Sequence, residues 1–171
     1  MSKTGHSLIK EMISSKNADI AGEMSGHIFY NYKYYGYDDA IYASLKLIRI
    51  LNNTKKTLNE LTSVYMKSSS TPEIKLYCDE KIKFSLLDKI VKDIPKHYDN
   101  SSAKLITIDG VRLETENFWF LLRASNTQNC IVFRLEHFVK DKFKEELIKL
   151  ISILESYSLD IKELTSFNQT V

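Results

Sequence analysis

The sequence predicts a protein of mixed fold, in which a helix-rich first segment is followed by an α+β domain. Residues 67–72 form a small, polar stretch that ends in Pro72 and separates two regions of regular hydrophobic periodicity, as a linker does. The region after it reads in the order βαββββα, whereas the region before it holds three helical patterns and one strand. We therefore expect a first segment at 1–67, a linker at 68–73 and a second domain at 74–171.

The second region carries the strand and helix patterns of one complete domain. Residues 73–78 alternate as a strand does, and the helical pattern after them is ended by Pro95. Asp109-Gly110 is typical of a two-residue hairpin turn. The remaining elements are strands at 105–108, 111–114, 118–123 and 130–136 and a closing helix at 143–154. Together they predict an antiparallel sheet with helices packed on one face.

The first segment offers one convincing strand, around Ile20 and Ala21, among helices at 7–16, 41–51 and 58–65. A lone strand would leave its backbone groups unpaired if it were buried. Two explanations fit this pattern. Either the segment is a small helical domain with one edge strand, or it is the tail of an α/β domain whose other strands are missing.

Composition and charge exclude several classes of function. The 24 basic and 22 acidic residues give a net charge of +2, which provides no electrostatic footprint for nucleic acid or for an anionic membrane. The N-terminus lacks an apolar signal region, and no apolar stretch approaches the roughly 18 residues of a membrane span. Two cysteines without metal-ligand spacing are typical of free thiols in a reducing compartment, and a single disulfide is the alternative. We therefore expect a cytoplasmic protein.

Residues 22–27, Gly-Glu-Met-Ser-Gly-His, form the first candidate site. In an extended segment, Glu23, Ser25 and His27 would share one side. A carboxylate, a hydroxyl and an imidazole that converge there suit the hydroxyls of a sugar, because a carboxylate accepts two hydrogen bonds at once. The alternative is an ordinary solvated loop.

Residues 123–127, Arg-Ala-Ser-Asn-Thr, form the second candidate site, in a loop between two strands. The side chains of Arg123, Ser125, Asn126 and Thr127, together with backbone N–H groups in a turn, can surround a phosphate without a glycine-rich loop. The alternative is a plain turn, since Ser, Asn and Thr are common turn residues.

Other polar residues are weaker candidates when each is taken by itself. His6 and Lys3 near the N-terminus are typical of surface residues, and Asp38-Asp39 is typical of a helix N-cap rather than of a metal pair. The sequence holds no nucleotide-binding or hydrolase motif and no Asp-rich loop suited to Mg²⁺. We expect no metal ligands on this chain.

Four motifs in order carry a resemblance to a known family. They are Lys-Thr-Gly-His-Ser at 3–7, Gly-Glu-Met-Ser-Gly-His at 22–27, Tyr-Gly-Tyr-Asp-Asp-Ala-Ile-Tyr-Ala at 35–43 and Arg-Ala-Ser-Asn-Thr at 123–127. Their order and spacing resemble the phosphomannomutase/phosphoglucomutase family over nearly the whole chain. Gln128-Asn129 departs from the family pattern, which commonly continues with an acidic residue or Thr and then Pro.

The resemblance implies a fold and a function. The chain would supply the second half of an α/β/α domain three and all of a C-terminal α+β domain similar to the TATA-box-binding protein. Residues matching Glu23 and Ser25 would bind the ring hydroxyls of the sugar, and those matching Lys3 and His27 would also contact the substrate. The residue matching His6 would lie near the reacting phosphate. Residues matching Arg123, Ser125, Asn126 and Thr127 would anchor the phosphate that is not transferred.

The same resemblance implies that part of the enzyme is elsewhere. Family members interconvert hexose 1-phosphates and hexose 6-phosphates, of mannose or glucose, by phosphoryl transfer. Their phosphoserine loop and Mg²⁺-binding loop have no counterpart here, so this chain alone is expected to be inactive and to hold no cofactor. A separate N-terminal half chain is one expected partner, and self-association through the truncated domain is another. The alternative function is a non-catalytic phospho-sugar-binding module or a decayed gene product.

Overall fold

The computed structural model describes residues 1–65, 67–98 and 102–171, which fall into two units, Met1–Val64 and Tyr65–Val171. The first unit contains three helices and two strands. In chain order they are α1 (His6–Lys16), β1 (Ile20–Gly22), β2 (Ile28–Tyr30), α2 (Ala40–Thr54) and α3 (Leu58–Thr62), with a 3₁₀ turn at Ser63–Tyr65. Among the described residues, no helix is both long and apolar enough to cross a bilayer.

The predicted lone strand has a partner. β1 and β2 form an antiparallel hairpin in which Ile20 lies opposite Tyr30 and Gly22 opposite Ile28. The expectation of an unpaired strand was wrong because β2 has only three residues and follows directly on a polar, glycine-containing loop, so it shows no alternation of its own. Ile9 and Ile13 of α1 and Phe29 of β2 are buried together and hold the hairpin against the helix.

The helix α2 begins and ends with defined caps but buries none of its side chains. The Asp39 carboxylate accepts a hydrogen bond from the Tyr42 N–H, and Lys55 ends the helix in the left-handed conformation. Ile41, Leu45 and Ile48 share one face at helical spacing, yet they are 77%, 59% and 61% exposed. An amphipathic helix normally covers such a face with a second layer, as expected for part of an α/β/α domain.

The second unit is built on one antiparallel sheet of six strands. Its strand order is β3-β8-β7-β6-β5, and β4 also pairs with β8. The strands are β3 (Ser69–Ser70), β4 (Ile74–Tyr77), β5 (Lys104–Ile106), β6 (Val111–Glu114), β7 (Phe118–Ala124) and β8 (Cys130–His137). The helices are α4 (Lys83–Asp93), α5 (Phe143–Leu154) and α6 (Lys162–Thr170), with 3₁₀ turns at Ile94–His97 and Lys140–Lys142.

Strict alternation along β7 defines the core of this unit. Phe118, Phe120, Leu122 and Ala124 are buried, whereas the residues between them are only partly buried. The buried side chains belong to one cluster with those of α4 and α5, so the sheet carries helices on one face, as predicted. The predicted α+β class is confirmed for this unit.

Three details of the second unit differ from the predictions. Ser69 and Ser70, placed in the linker, pair with His137 and Glu136 of β8, because short polar strands leave little signal in a sequence. The helix at 143–154 is not the last one, since α6 follows and buries Leu164. The turn at Asp109-Gly110 is longer than two residues, because Ile106 pairs with Arg112.

Gly110 is required for a reason other than a tight hairpin. Its φ is +78°, and a Cβ built on it would overlap the carbonyl oxygen of Leu122 in the neighbouring strand. The glycine therefore permits the loop of residues 107–110 to lie against β7.

Candidate functional site

The loop of residues 23–27 joins β1 to β2 and folds as a tight turn. The Glu23 N–H donates to the His27 carbonyl oxygen over 2.9 Å, and the Gly26 N–H donates to the Glu23 carbonyl oxygen over 3.0 Å. Gly26 has a φ of +92°, which a residue without a Cβ adopts at little cost. The turn therefore brings the first and last residues of the loop together.

This geometry corrects the expectation of an extended segment. Glu23 and His27 converge because the chain turns back on itself, not because alternate residues share one side of a strand. Ser25 lies at the exposed tip of the turn, away from the position predicted for it by strand spacing. The sequence identified the residues, whereas the pairing of β1 with β2 determines which of them meet.

His27 is held by a carboxylate that the sequence assigned to another role. Nδ1 of His27 lies 2.7 Å from Oδ2 of Asp38, and Oδ1 of Asp38 accepts a hydrogen bond from the Ile28 N–H over 3.2 Å. An ionised carboxylate only accepts hydrogen bonds, so Nδ1 is the protonated nitrogen and Nε2 of a neutral ring keeps its lone pair. This arrangement orients an imidazole for proton transfer or for ligand binding.

His6, at the start of α1, completes the cluster. Its Nε2 lies 4.0 Å from Oε2 of Glu23 and 3.9 Å from Oδ2 of Asp38, and its ring meets that of His27 edge to face at 4.8 Å between centroids. The backbone N–H of Gly5 donates to Oε1 of Glu23 over 3.4 Å. Residues that are distant in sequence thus form one patch of two imidazoles and two carboxylates. Lys3 is exposed on the segment that precedes it.

Asp38 is the functional residue that the sequence reasoning missed. The prediction treated Asp38 and Asp39 together as a helix cap, but Asp39 alone caps α2. Asp39 also accepts a hydrogen bond from Tyr34 over 2.6 Å, which lowers the pKa of the Asp39 carboxyl and raises that of Tyr34 above its usual range. A helix needs only one N-cap residue. The second acidic residue in front of α2 was therefore the sequence signal that one of the two carboxylates has another partner.

The cluster does not suit the Mg²⁺ ion that the family resemblance implies. Mg²⁺ prefers an octahedral set of oxygen ligands, whereas this group offers two imidazole nitrogens. Among the described residues, His6, Glu23 and His27 are the one set of three side chains of metal-binding type whose ligand atoms lie together. His6, Glu23 and His27 are therefore not a Mg²⁺ site.

The second candidate site is the loop of residues 125–129 between β7 and β8. The Ser125 N–H donates to the Cys130 carbonyl oxygen over 3.0 Å, which closes the loop. The Ser125 Oγ accepts hydrogen bonds from the N–H groups of Thr127, at 3.4 Å, and Gln128, at 3.1 Å. Ser125 is buried, whereas Asn126 and Thr127 are exposed at the tip. Ser125 therefore shapes the turn, and Asn126 and Thr127 present their polar groups outward.

A buried lysine supports this loop from inside the unit. Lys83, at the start of α4, is only 4% exposed, and its Nζ donates to the carbonyl oxygens of Ser125 at 2.8 Å and Gln128 at 3.0 Å. The ammonium group thus satisfies two carbonyls and places a positive charge beneath the loop. The burial of Lys83 could not be recognised from the sequence, because a lysine within a helical pattern is ordinarily solvent-exposed.

Arg123 precedes the loop on the partly buried side of β7. Its register partner in β8 is Val132, and its neighbours Leu122 and Ala124 point into the core instead. Arg123 is half-buried on the side of the sheet opposite to that core. The four predicted residues of this site are therefore close together in sequence but differ in exposure. Arg123 is half-buried and Ser125 is buried, whereas Asn126 and Thr127 are exposed.

The chain consists of an α/β unit followed by an α+β unit. The first unit carries the polar loop of residues 23–27, and the second unit carries the polar loop of residues 125–129. Comparison with known families agrees with this division. The profile of phosphoglucomutase/phosphomannomutase α/β/α domain III matches residues 1–68, and the profile of the C-terminal domain of the same family matches residues 73–149. The chain belongs to the phosphoglucomutase/phosphomannomutase family.

Individual relatives show the same similarity. The chain is 40% identical over 157 residues to a phosphomannomutase/phosphoglucomutase of Pseudomonas putida, which covers 88% of this chain and 33% of that protein. It is 39% identical over 140 residues to a phosphoglucomutase of Neisseria meningitidis serogroup A, and this match covers 80% of this chain and 29% of that protein. A phosphoglucomutase/phosphomannomutase family protein from Burkholderia thailandensis superposes with a TM-score of 0.75 at 31% identity, covering 92% of this chain and 33% of that one. The chain thus spans about a third of the length of these relatives.

Proposed function

We propose that this chain provides the sugar-recognition and phosphate-anchoring loops of a phosphohexomutase, which interconverts hexose 1-phosphate and hexose 6-phosphate by phosphoryl transfer. The observation that carries this proposal is the cluster of Glu23, His27, Asp38 and His6, which the turn and α1 bring together. Its chemistry suits a ring with several hydroxyl groups. Membership of the phosphoglucomutase/phosphomannomutase family supports the reaction class.

Each polar residue in the first loop has a role that follows from its contacts. Glu23 accepts hydrogen bonds from two neighbouring sugar hydroxyls, and Ser25 adds a hydroxyl from the tip of the turn. His27 is oriented by Asp38, so its Nε2 can receive a proton from a sugar hydroxyl that attacks a phosphoryl group. His6 lies beside the His27 ring and can donate a hydrogen bond near the reacting phosphate, where the ammonium group of Lys3 provides positive charge.

The second loop anchors the phosphate that stays on the sugar. Arg123 donates two parallel hydrogen bonds to phosphate oxygens, and the exposed Asn126 and Thr127 add side-chain donors. Ser125 holds the turn, and the buried Lys83 adds its charge beneath it. No glycine-rich loop is needed, because the turn presents its own donors.

The phosphoserine nucleophile and the Mg²⁺ site are supplied by another part of the enzyme, outside these 171 residues. Binding groups position a phosphoryl group but do not replace the nucleophile or the charge neutralisation that the transfer requires. The partner is therefore the N-terminal part of a phosphohexomutase, either in the same polypeptide or as a separate chain.

Activity in trans tests this proposal. The chain is mixed with the remaining N-terminal part of the Pseudomonas putida relative, and conversion of glucose 1-phosphate to glucose 6-phosphate is measured. We expect conversion only when both proteins are present, and its loss with His27→Ala but not with His97→Ala, an exposed histidine of the second unit. Binding of glucose 1-phosphate without any conversion would support a non-catalytic sugar-phosphate-binding module instead. Absence of both would contradict the proposal.

A further inference from the structure

We propose that His6, Glu23 and His27 bind a divalent transition-metal ion of the Zn²⁺ type, and that this ion inhibits the protein by competing with the sugar. The ion is a regulator and is distinct from the Mg²⁺ that phosphoryl transfer uses. Metal binding stands on the geometry of the cluster alone, whereas the competition rests on the proposed function of the same loop.

The donor set is appropriate for such an ion. One ligand atom from each of the three side chains lies within 4.8 Å of the others. Zinc bonds of about 2.0–2.2 Å in a tetrahedron place neighbouring ligand atoms about 3.3–3.5 Å apart, so the ligand atoms must approach one another by up to about 1.5 Å. The half-exposed side chains of His6 and His27 have room to make this movement.

Asp38 prepares one of the ligands. A histidine that binds a metal commonly donates its other ring N–H to a carboxylate, which fixes the tautomer and the ring orientation. Nδ1 of His27 makes this contact with Asp38 at 2.7 Å, and the Ile28 N–H fixes the carboxylate in turn. Nε2 of His27 is the nitrogen left for the ion.

The charge and the openness of the cluster also favour a bound cation. Two carboxylates lie beside two imidazoles, and the His6 side chain is 51% exposed whereas that of Glu23 is only 13% exposed. Three protein ligands leave a fourth position open, as in zinc sites that exchange a water or a substrate oxygen. The two imidazole ligands favour Zn²⁺ and Cu²⁺, whereas Mg²⁺ and Ca²⁺ prefer a set made of oxygen ligands alone.

Competition follows because the same atoms serve both ligands. The carboxylate of Glu23 cannot accept hydrogen bonds from two sugar hydroxyls while it binds the ion. Nε2 of His27 cannot take a proton while its lone pair is coordinated. A bound ion therefore prevents Glu23 from binding the sugar hydroxyls and prevents His27 from acting as a general base.

The first experiment titrates the chain with Zn²⁺ by calorimetry and with Co²⁺ by visible absorption, in a Cys78→Ser, Cys130→Ser background that removes thiol ligands. We expect one ion per chain, with at least a hundredfold weaker binding for His27→Ala and for His6→Gln, which changes an exposed side chain. The matched control His97→Ala should bind as the parent does. Asp38→Asn should weaken binding about 10–100-fold while leaving the three ligands in place. Equal affinity of the parent, His6→Gln and His27→Ala would overturn the site.

The second experiment separates this inference from the proposed function. Glucose 1-phosphate is titrated into the parent chain with and without saturating Zn²⁺. A fall of at least tenfold in sugar-phosphate affinity supports competition, and an unchanged affinity overturns it. If glucose 1-phosphate does not bind even without the ion, the proposed function and the competition both fail, while the Zn²⁺ and Co²⁺ titrations still decide the metal site.

Discussion

Two charged residues, Asp38 and Lys83, hold the two polar loops in their observed geometry. Each lies outside the motif that it supports, and the contacts of each show how it holds that motif. Asp38 orients His27 through Nδ1, and Lys83 holds the two ends of the turn at Ser125 and Gln128. In both cases a charged side chain makes hydrogen bonds to a separate element of the fold. Asp38 bonds to the His27 ring, and Lys83 donates to two backbone carbonyl oxygens.

We expect Lys83→Met to lower both the stability of the second unit and its affinity for phosphate. The substitution leaves two carbonyl oxygens without their donor, which costs about 1–3 kcal/mol, and it removes the charge beneath the loop. Unfolding is followed by fluorescence of Trp119, the single tryptophan of the chain, and phosphate affinity is measured at a temperature where the variant is folded. Lys81→Met, at an exposed position two residues away, should change neither quantity. Loss of stability with unchanged phosphate affinity would show that Lys83 is structural only.

We expect Arg123→Ala to remove most of the binding of glucose 1-phosphate by the chain. A bidentate guanidinium–phosphate pair contributes about 1.5–3 kcal/mol, equivalent to roughly 10–100-fold in affinity. Calorimetry of the parent and the variant provides the measurement. Arg49→Ala, which removes an exposed arginine from α2, should have no effect. Equal affinities of the parent and Arg123→Ala would exclude this loop as the phosphate site.

At the scale of elements, short strands and helix faces account for the features that the sequence did not reveal. The strand β2 and the paired residues Ser69 and Ser70 are too short to show alternation. The longer β7 and the helices α2, α4 and α5 were recognised, because several turns or pleats of periodic side chains lie in each.

Gly110→Ala should destabilise the second unit by about 2 kcal/mol or more. The new methyl group would overlap the backbone of Leu122, and the left-handed φ adds strain of about 1 kcal/mol. The midpoint of the Trp119 fluorescence transition in urea provides the measurement. Gly26→Ala is the matched control, since Gly26 has a similar φ of +92° but open space around it and lies in the first unit. A Trp119 transition unchanged by Gly110→Ala would show that the loop relaxes without cost.

The uncovered face of α2 should cause the isolated chain to self-associate. Ile41, Leu45 and Ile48 expose an apolar stripe that a helix in water ordinarily buries. The sequence predicts self-association through the truncated domain, and the exposed stripe assigns it to α2 within that segment. We expect Ile48→Glu to shift the chain toward monomer in sedimentation velocity. Asn53→Glu adds the same charge away from the stripe and should not do so. A parent chain that is monomeric at high concentration would contradict this prediction.

At the scale of the whole molecule, the chain is about a third of the length of its relatives, and its two loops are proposed to bind one part each of the substrate. Adding the N-terminal part of a relative should therefore raise its affinity for glucose 1-phosphate at least tenfold, because further binding groups would surround the ligand. Calorimetry with and without that part measures the effect. His97→Ala should behave as the parent does, and an unchanged affinity of the mixture would argue against a shared site.

Salt dependence provides a second prediction for the whole molecule. The net charge of +2 gives no basic field, so the chain should not be retained on duplex DNA in a salt-sensitive manner. Retention that falls steeply between 50 and 200 mM salt, on the order of a thousandfold, would contradict it.

The sequence by itself determined the family resemblance, the α+β class of the second unit and most of the residues proposed to bind the ligand. These properties depend on local motifs and on periodicity within single elements, which are present in the chain before it folds. Only the tertiary structure decided that Glu23 meets His27 through a turn, that Asp38 rather than Asp39 contacts His27, and that Lys83 lies beneath the loop of residues 125–129. Those contacts join residues 4 to 45 positions apart. Strand pairing, helix packing and burial bring them together, and no local pattern in the sequence encodes the distances between them.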